Sequence, residues 1–183
     1  MPNQFPFNKV QAALKDAVRR LPAKLGTEAV NFFRHNFRDQ GWNGNSFMPW
    51  TPRKGGKDKG RGILIKSGRL RRSIRIARVT SGSVVIATDV PYARAHNEGF
   101  SGMVHVKAHS RNRYGKEKVG TGKLTKTGKE RMRSVTRVTG TGAVGQHNRY
   151  MKMPRRQFMG DSPFLNKRLE RVIAADIIKA LKF

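Results

Sequence analysis

From residue 110 to residue 149 the chain runs through Gly, Thr, Ser, Lys and Arg with few large apolar side chains, and a stretch of that kind cannot assemble a core. It lies inside a chain of 183 residues, long enough otherwise to bury one conventional core. The core must therefore be built from two flanks distant in sequence. His109-Ser-Arg111 and His147-Asn-Arg149 echo one another at the two ends of the stretch, as two strands would that leave a sheet and return around an extended arm. The expectation is a single domain over 1–183 that carries residues 110–149 as a basic arm, a long hairpin or loop that gains order on meeting a partner.

The flanks carry the regular structure. Val10, Ala13, Leu14, Ala17, Val18 and Leu21 recur at helical spacing over residues 8 to 21, which predicts an amphipathic helix. Pro22 is expected to end it and to open a second helix, carrying Leu25, Ala29, Phe32, Phe33 and Phe37 and stopping at Gly41. From Trp42 to Gly62 the composition turns to Gly, Pro, Asn and Lys. That is a loop, and Trp50, set between two prolines, is expected to fill a hole in its own core. Ile74–Val79 and Ser83–Thr88 alternate on either side of Thr80-Ser-Gly82, the pattern of a β-hairpin.

Pro91–Gly99 reads as a short helical piece closed by glycine. Met103–Ala108 alternates as a strand, and Tyr150–Pro154 does so weakly. Asp161-Ser-Pro163 is a helix cap followed by proline at the first helical position. Leu165, Leu169, Val172, Ile173, Ile177, Ala180 and Leu181 then trace one apolar stripe, with Lys179 and Lys182 suited to the negative end of the helix dipole. The fold class is α+β: a small antiparallel sheet packed by N-terminal helices and a long C-terminal helix, with an extended basic hairpin or loop inserted.

Catalysis needs groups gathered with tuned proton affinities, and the 11 carboxylates are dispersed with no evident pair. The absence of cysteine rules out disulfides, thiolate zinc sites and a Cys nucleophile. His105 and His109 stand four apart, but on a strand-like pattern and without the Glu of a zincin motif, so solvated or backbone-bonded histidines are expected. Gly120-Thr-Gly-Lys123 and Thr127-Gly-Lys129 resemble pieces of a phosphate loop, yet both lack the earlier glycine and a preceding apolar strand. Neither a catalytic residue, nor a metal ligand, nor a cofactor is assigned.

Charge is the strongest compositional signal: 39 Lys and Arg against 11 Asp and Glu leave a formal +28. Such a chain repels itself and favours polyanions or acidic protein faces, with binding that weakens as salt rises. The partner-contacting candidates are Lys107, Arg111, Arg113, Lys116, Lys118, Lys123, Lys126, Lys129, Arg131, Arg133, Arg137, Arg149, Arg155 and Arg156. Tyr114 is the arm's only large aromatic, with Tyr150 just beyond its end, which disfavours recognition of single strands by stacking. The N-terminal residues lack a charged start followed by an apolar run, and no segment approaches a membrane span; the expected surroundings are cytoplasm-like, with no membrane partner.

The order of these pieces resembles the phage virion morphogenesis family, also described as tail-completion or neck proteins. Five stretches carry it: Phe32–Trp42, Trp50-Thr-Pro-Arg53, Ile63–Ile74 with its Ser-Gly-Arg-Leu-Arg-Arg-Ser-Ile block, Pro91–Gly99 with its Tyr-Ala-x-x-His-x-x-Gly, and Met153–Gly160. Some family members carry Pro-Ala-Arg where this chain has Pro154-Arg-Arg-Gln-Phe158. The resemblance implies a non-enzymatic subunit without cofactor, assembled in the host cytoplasm into a virion ring at the head–tail junction. A hexamer is favoured, with a dodecamer as the other option. The implied partners are further copies of itself, neighbouring connector, tail-terminator or tail-tube proteins, and packaged DNA through the arm. The competing expectation from charge alone is a basic nucleic-acid-binding module of ribosomal or architectural type.

Overall fold

The computed structural model describes residues 7–53 and 60–182. It divides into two compact units, a body formed by Met1–Phe100 with Lys152–Phe183, and an inserted unit formed by Ser101–Met151. The insertion thus begins nine residues before and ends two residues after the 110–149 limits read from composition. Residues 54–59 of the expected loop lie outside the described residues.

The body is built on α1 (Phe7–Asp39), an unbroken helix that carries Pro22 in its interior. This corrects the expected break into two helices. Proline removes one N–H from the ladder, so the Val18 carbonyl loses its helical donor; Val18 is exposed, where water can take that bond. The continuity comes from the C-terminal helix packed antiparallel along α1. Phe164 stacks on Phe32 at 6.1 Å, Arg168 pairs with Glu28 and Lys24 with Asp176, and Lys179 and Ala180 border Ala13 and Ala17, so one partner helix bridges both sides of Pro22. The stop also differs in detail: the left-handed residue after α1 is Gln40, at φ 59°, and Gly41 already belongs to the following strand.

That strand, β1 (Gly41–Asn43), pairs antiparallel with β2 (Phe47–Pro49), a short hairpin hidden in what reads as loop. Next comes α2 (Arg69–Ser73), one turn of helix that the Ser-Gly-Arg-Leu block did not reveal. The expected hairpin follows as β3 (Arg75–Val79) and β4 (Val84–Ala87), in register Arg75↔Ala87 and Val79↔Val84. It packs on α1 at Gly26, where an added Cβ would lie 2.7 Å from a Val84 methyl and 2.9 Å from Ile76. Helix α3 (Ala93–Asn97) closes on Gly99 at φ 84°; a side chain there would also crowd the Arg155 amide at 3.1 Å, so glycine is required twice over.

The last helix, α4 (Pro163–Leu181), starts as its sequence predicts: Ser162 accepts the Leu165 N–H at 3.2 Å and Pro163 opens the first turn. Its apolar stripe lies half-buried from Leu169 to Ala180, with Leu165 buried and Leu181 exposed. An aromatic cluster holds the body together. Phe37, wholly buried, meets Trp50 edge-on at 5.4 Å and Phe158 at 5.2 Å; Trp42 stacks on Phe33 and meets Phe32 edge-on. Trp50 fills the core as expected and donates its indole N–H to the Gln157 carbonyl at 2.8 Å.

In the inserted unit, β5 (Phe100–Val106) pairs with β8 (His147–Met153). Inside them β6 (His109–Leu124) pairs antiparallel with β7 (Glu130–Val144). The expected hairpin is there, paired residue to residue except at Thr139 and between Gly120 and Leu124, with Val and Thr the residues along it that favour a pleated surface. Among the described residues the strands form four two-stranded sheets rather than one small sheet. Among the described residues no helix is long and apolar enough to cross a membrane.

Candidate functional site

The five stretches that carry the family resemblance meet in the body around Met153–Gly160. Asn36, wholly buried, donates to the Phe158 carbonyl at 3.3 Å and accepts from Asn43 at 3.0 Å. Asn97 accepts the backbone N–H groups of both Phe158 and Met159, at 2.9 and 3.0 Å, and the Arg156 N–H donates to the His96 carbonyl at 2.8 Å. Ser162 donates to the Asn43 carbonyl at 2.6 Å. Each of these buried polar groups thereby has a partner, which burial demands. The junction fixes backbone; it holds no arrangement of acid, base and nucleophile.

Arg156 belongs to this junction. It is only 9% exposed and donates twice to the Thr51 carbonyl, at 3.1 and 2.9 Å. Burial, and next the cation of Arg53, lower its proton affinity. Its guanidinium is thus engaged inside the body, unlike exposed Arg155 beside it. His96 is likewise shifted down, first by burial and then by Arg156, which favours its neutral form.

Two basic hollows flank the junction. One of about 300 Å³ is bordered by Arg53, Arg61, Lys66, Arg69, Tyr92 and His96, all but Arg61 drawn from three of the five stretches. The other, an open cleft of about 610 Å³, is bordered by Arg34 and Arg38 of α1 and by Arg71 and Arg72 of α2. Arg34 is held by the Ile74 carbonyl at 2.8 Å and Arg72 by the Ser67 carbonyl at 2.9 Å. These four arginines escaped the sequence reading; the available signal was the i, i+4 spacing of Arg34 and Arg38 on the polar face of a helix.

The remaining candidates fall in the inserted unit, apart from Arg155 in the body. Arg111, Arg113, Lys116, Lys118 and Lys123 stand on β6, Arg131, Arg133 and Arg137 on β7, and Arg149 on β8. Lys126 and Lys129 occupy the connecting turn and Lys107 the link between β5 and β6. All of these are exposed. The unit's carboxylates are Glu117, paired with Arg137 at 3.3 Å, and Glu130, which accepts the Gly122 N–H at 3.0 Å. His105 is bonded to the Asn148 side chain at 2.9 Å, and His109 to the Lys107 carbonyl at 3.0 Å. Of the phosphate-loop fragments, Gly120–Lys123 forms an irregularity in β6 and Gly128 a left-handed turn residue at φ 75°.

Fold and surface together define an α+β protein whose distinctive features are cationic clefts and a basic two-stranded insertion. The chain belongs to the phage virion morphogenesis family, whose model matches residues 4–179, nearly its whole length. Its role is accordingly in the structure and morphogenesis of the phage virion, and the family is one of morphogenesis proteins rather than one defined by a reaction. No curated protein and no solved structure matches the chain.

Proposed function

We propose that this chain is a tail-completion or neck subunit that forms a ring at the head–tail junction, favouring six copies, with twelve as the other stoichiometry. One observation carries the reading. The inserted unit has twelve Lys and Arg against two carboxylates and leaves Met103, Tyr114, Leu124, Met132, Val138 and Tyr150 exposed, so it has little core of its own and gains most by lying against something else. Subunits of a closed ring need two unlike surfaces, and an extended hairpin reaching a neighbour adds contact area without enlarging the body. Ordering it on contact makes assembly conditional on the correct partner surface. The acidic partners that +28 requires are then neighbouring connector, terminator or tube subunits and packaged DNA.

The family match favours this reading over a free-standing ribosomal or architectural module, which the charge alone would equally suit. Quantifying the chain in purified particles and imaging them by electron microscopy tests it. The expected result is six or twelve copies in a ring where head meets tail. Particles that lack the polypeptide, or hold it scattered along the tail, would refute it.

A further inference from the structure

The register of β6 against β7 sorts the arm's side chains by type. Directly opposed residues share a face of the ribbon and neighbours along a strand alternate. Arg111 faces Gly142, Arg113 faces Gly140, Arg137 faces Gly115 and Arg133 faces Val119, and alternation adds Arg131 to the same side. On the other side Tyr114 faces Val138, Lys116 faces Thr136, Lys118 faces Ser134 and Met132 faces Gly120.

Side-chain contacts agree with this sorting. Arg137 pairs with Glu117 on the arginine side, and a Cβ on Gly142 would lie 3.2 Å from Arg113 Nε. The device that gathers the arginines is the irregularity at Thr139, where the pairing steps from Arg113↔Gly140 to Tyr114↔Val138. Were Thr139 instead paired in regular alternation opposite Tyr114, every side chain of β7 from Val138 back to Glu130 would exchange faces. Arg131, Arg133 and Arg137 would then join the lysines.

The two faces therefore differ in chemistry. The large apolar residues that β6 and β7 expose, Tyr114, Leu124, Met132 and Val138, lie on the lysine face; Leu124 falls there through its pairing with Glu130, whose carboxylate occupies the space beside Gly120. The arginine face has the Arg113 guanidinium beside Gly142, one carboxylate already paired, and no Phe, Tyr or Trp. We propose that this face binds the phosphate backbone of duplex DNA, which gives the arm of the proposed joint, and so rests on that reading, a nucleic-acid side distinct from its protein side.

Four physical points favour that occupant. Guanidinium engages phosphate through two parallel bonds and gives up its hydration more readily than ammonium. Arginines two apart on a strand are spaced about 6.6 to 6.8 Å, so the face offers a regular cationic row instead of a single pocket. A two-stranded ribbon fits the major groove of B-form DNA. A face without stacking rings has nothing to hold single-stranded bases, and a protein partner would be anchored by the apolar residues that lie on the other side.

The test uses the full chain and a duplex of about 30 base pairs, a length chosen to exceed the ribbon's reach of roughly 50 Å, with affinity measured by fluorescence anisotropy across a salt series. Two variants each remove three charges: Arg111→Gln with Arg113→Gln and Arg133→Gln on the arginine face, and Lys116→Gln with Lys118→Gln on the other face together with Lys126→Gln in the connecting turn. Circular dichroism and melting curves establish that both fold like the parent. The arginine variant is expected to flatten the logarithmic salt slope by about 2 to 3, and the lysine variant by under about 1.

Equal losses in the two variants would overturn the assignment of faces. Binding of poly-glutamate as tight as that of duplex, lost with the arginines, would reassign the face to an acidic protein and overturn the proposal. A parent chain that ignores duplex DNA but is still counted at six or twelve copies per particle would remove this inference and leave the ring reading standing.

Discussion

The body and the inserted ribbon are held together by opposite means. In the body, Phe37, Phe158 and Ile74 are sealed from water, and the polar groups among them, Asn36, Asn97 and Ser162, bind specific backbone atoms. Between His109 and Val144 a backbone ladder runs with nothing buried beneath it. An isolated two-stranded hairpin is at best marginal in water, so the same chain combines a self-sufficient unit with one whose persistence depends on its surroundings.

The largest expected effect lies in the aromatic cluster. Phe37→Ala should lower the unfolding free energy by about 3 to 5 kcal/mol in urea titration, because Trp50 and Phe158 both lose the ring they pack on. A loss below about 1 kcal/mol would show that the cluster is not the centre of the body. Ser162→Ala should cost about 1 to 2 kcal/mol, removing both the cap of α4 and the bond to Asn43; an unchanged midpoint would break the link between this helix and β1.

A smaller effect should appear with pH. Burial and Arg156 lower the proton affinity of His96 below its ordinary value of 6.5, so the unfolded chain binds the proton more readily than the folded one. Stability is then complete above that pH and declines as pH falls through it. His96→Gln should flatten this decline between about pH 5 and 7, and a parent without any decline there would contradict the neutral buried ring. The smallest effect on stability should come from the boldest change. Replacing residues 114–139 by Asn-Gly, which joins the paired Arg113 and Gly140 by a turn suited to hairpins, should leave the body's unfolding free energy within about 0.5 kcal/mol while reducing assembled particles. Unchanged particle yield would remove the arm from the account of assembly.

Much of this molecule is legible residue by residue, wherever the determinant is local. The cap and stripe of α4, the hairpin of β3 and β4, and the turn at Gly99 each follow from periodicity or from one backbone requirement. The lack of core between residues 110 and 149 follows from composition just as directly, because side chains absent from the sequence cannot be buried.

Other features depend on what lies across space. Helix α1 continues through Pro22 because α4 packs along it on both sides of the proline, and the cost of one lost bond is outweighed by contacts more than a hundred residues away. Arg156 looks like its neighbour Arg155 in sequence, yet the Thr51 carbonyl draws it inside. The separation of arginines from lysines turns on Thr139 being left out of the ladder between Gly140 and Val138. Composition fixes how much charge the arm bears, but pairing with period two lets one residue of slip exchange its faces, so only the folded register decides where that charge points.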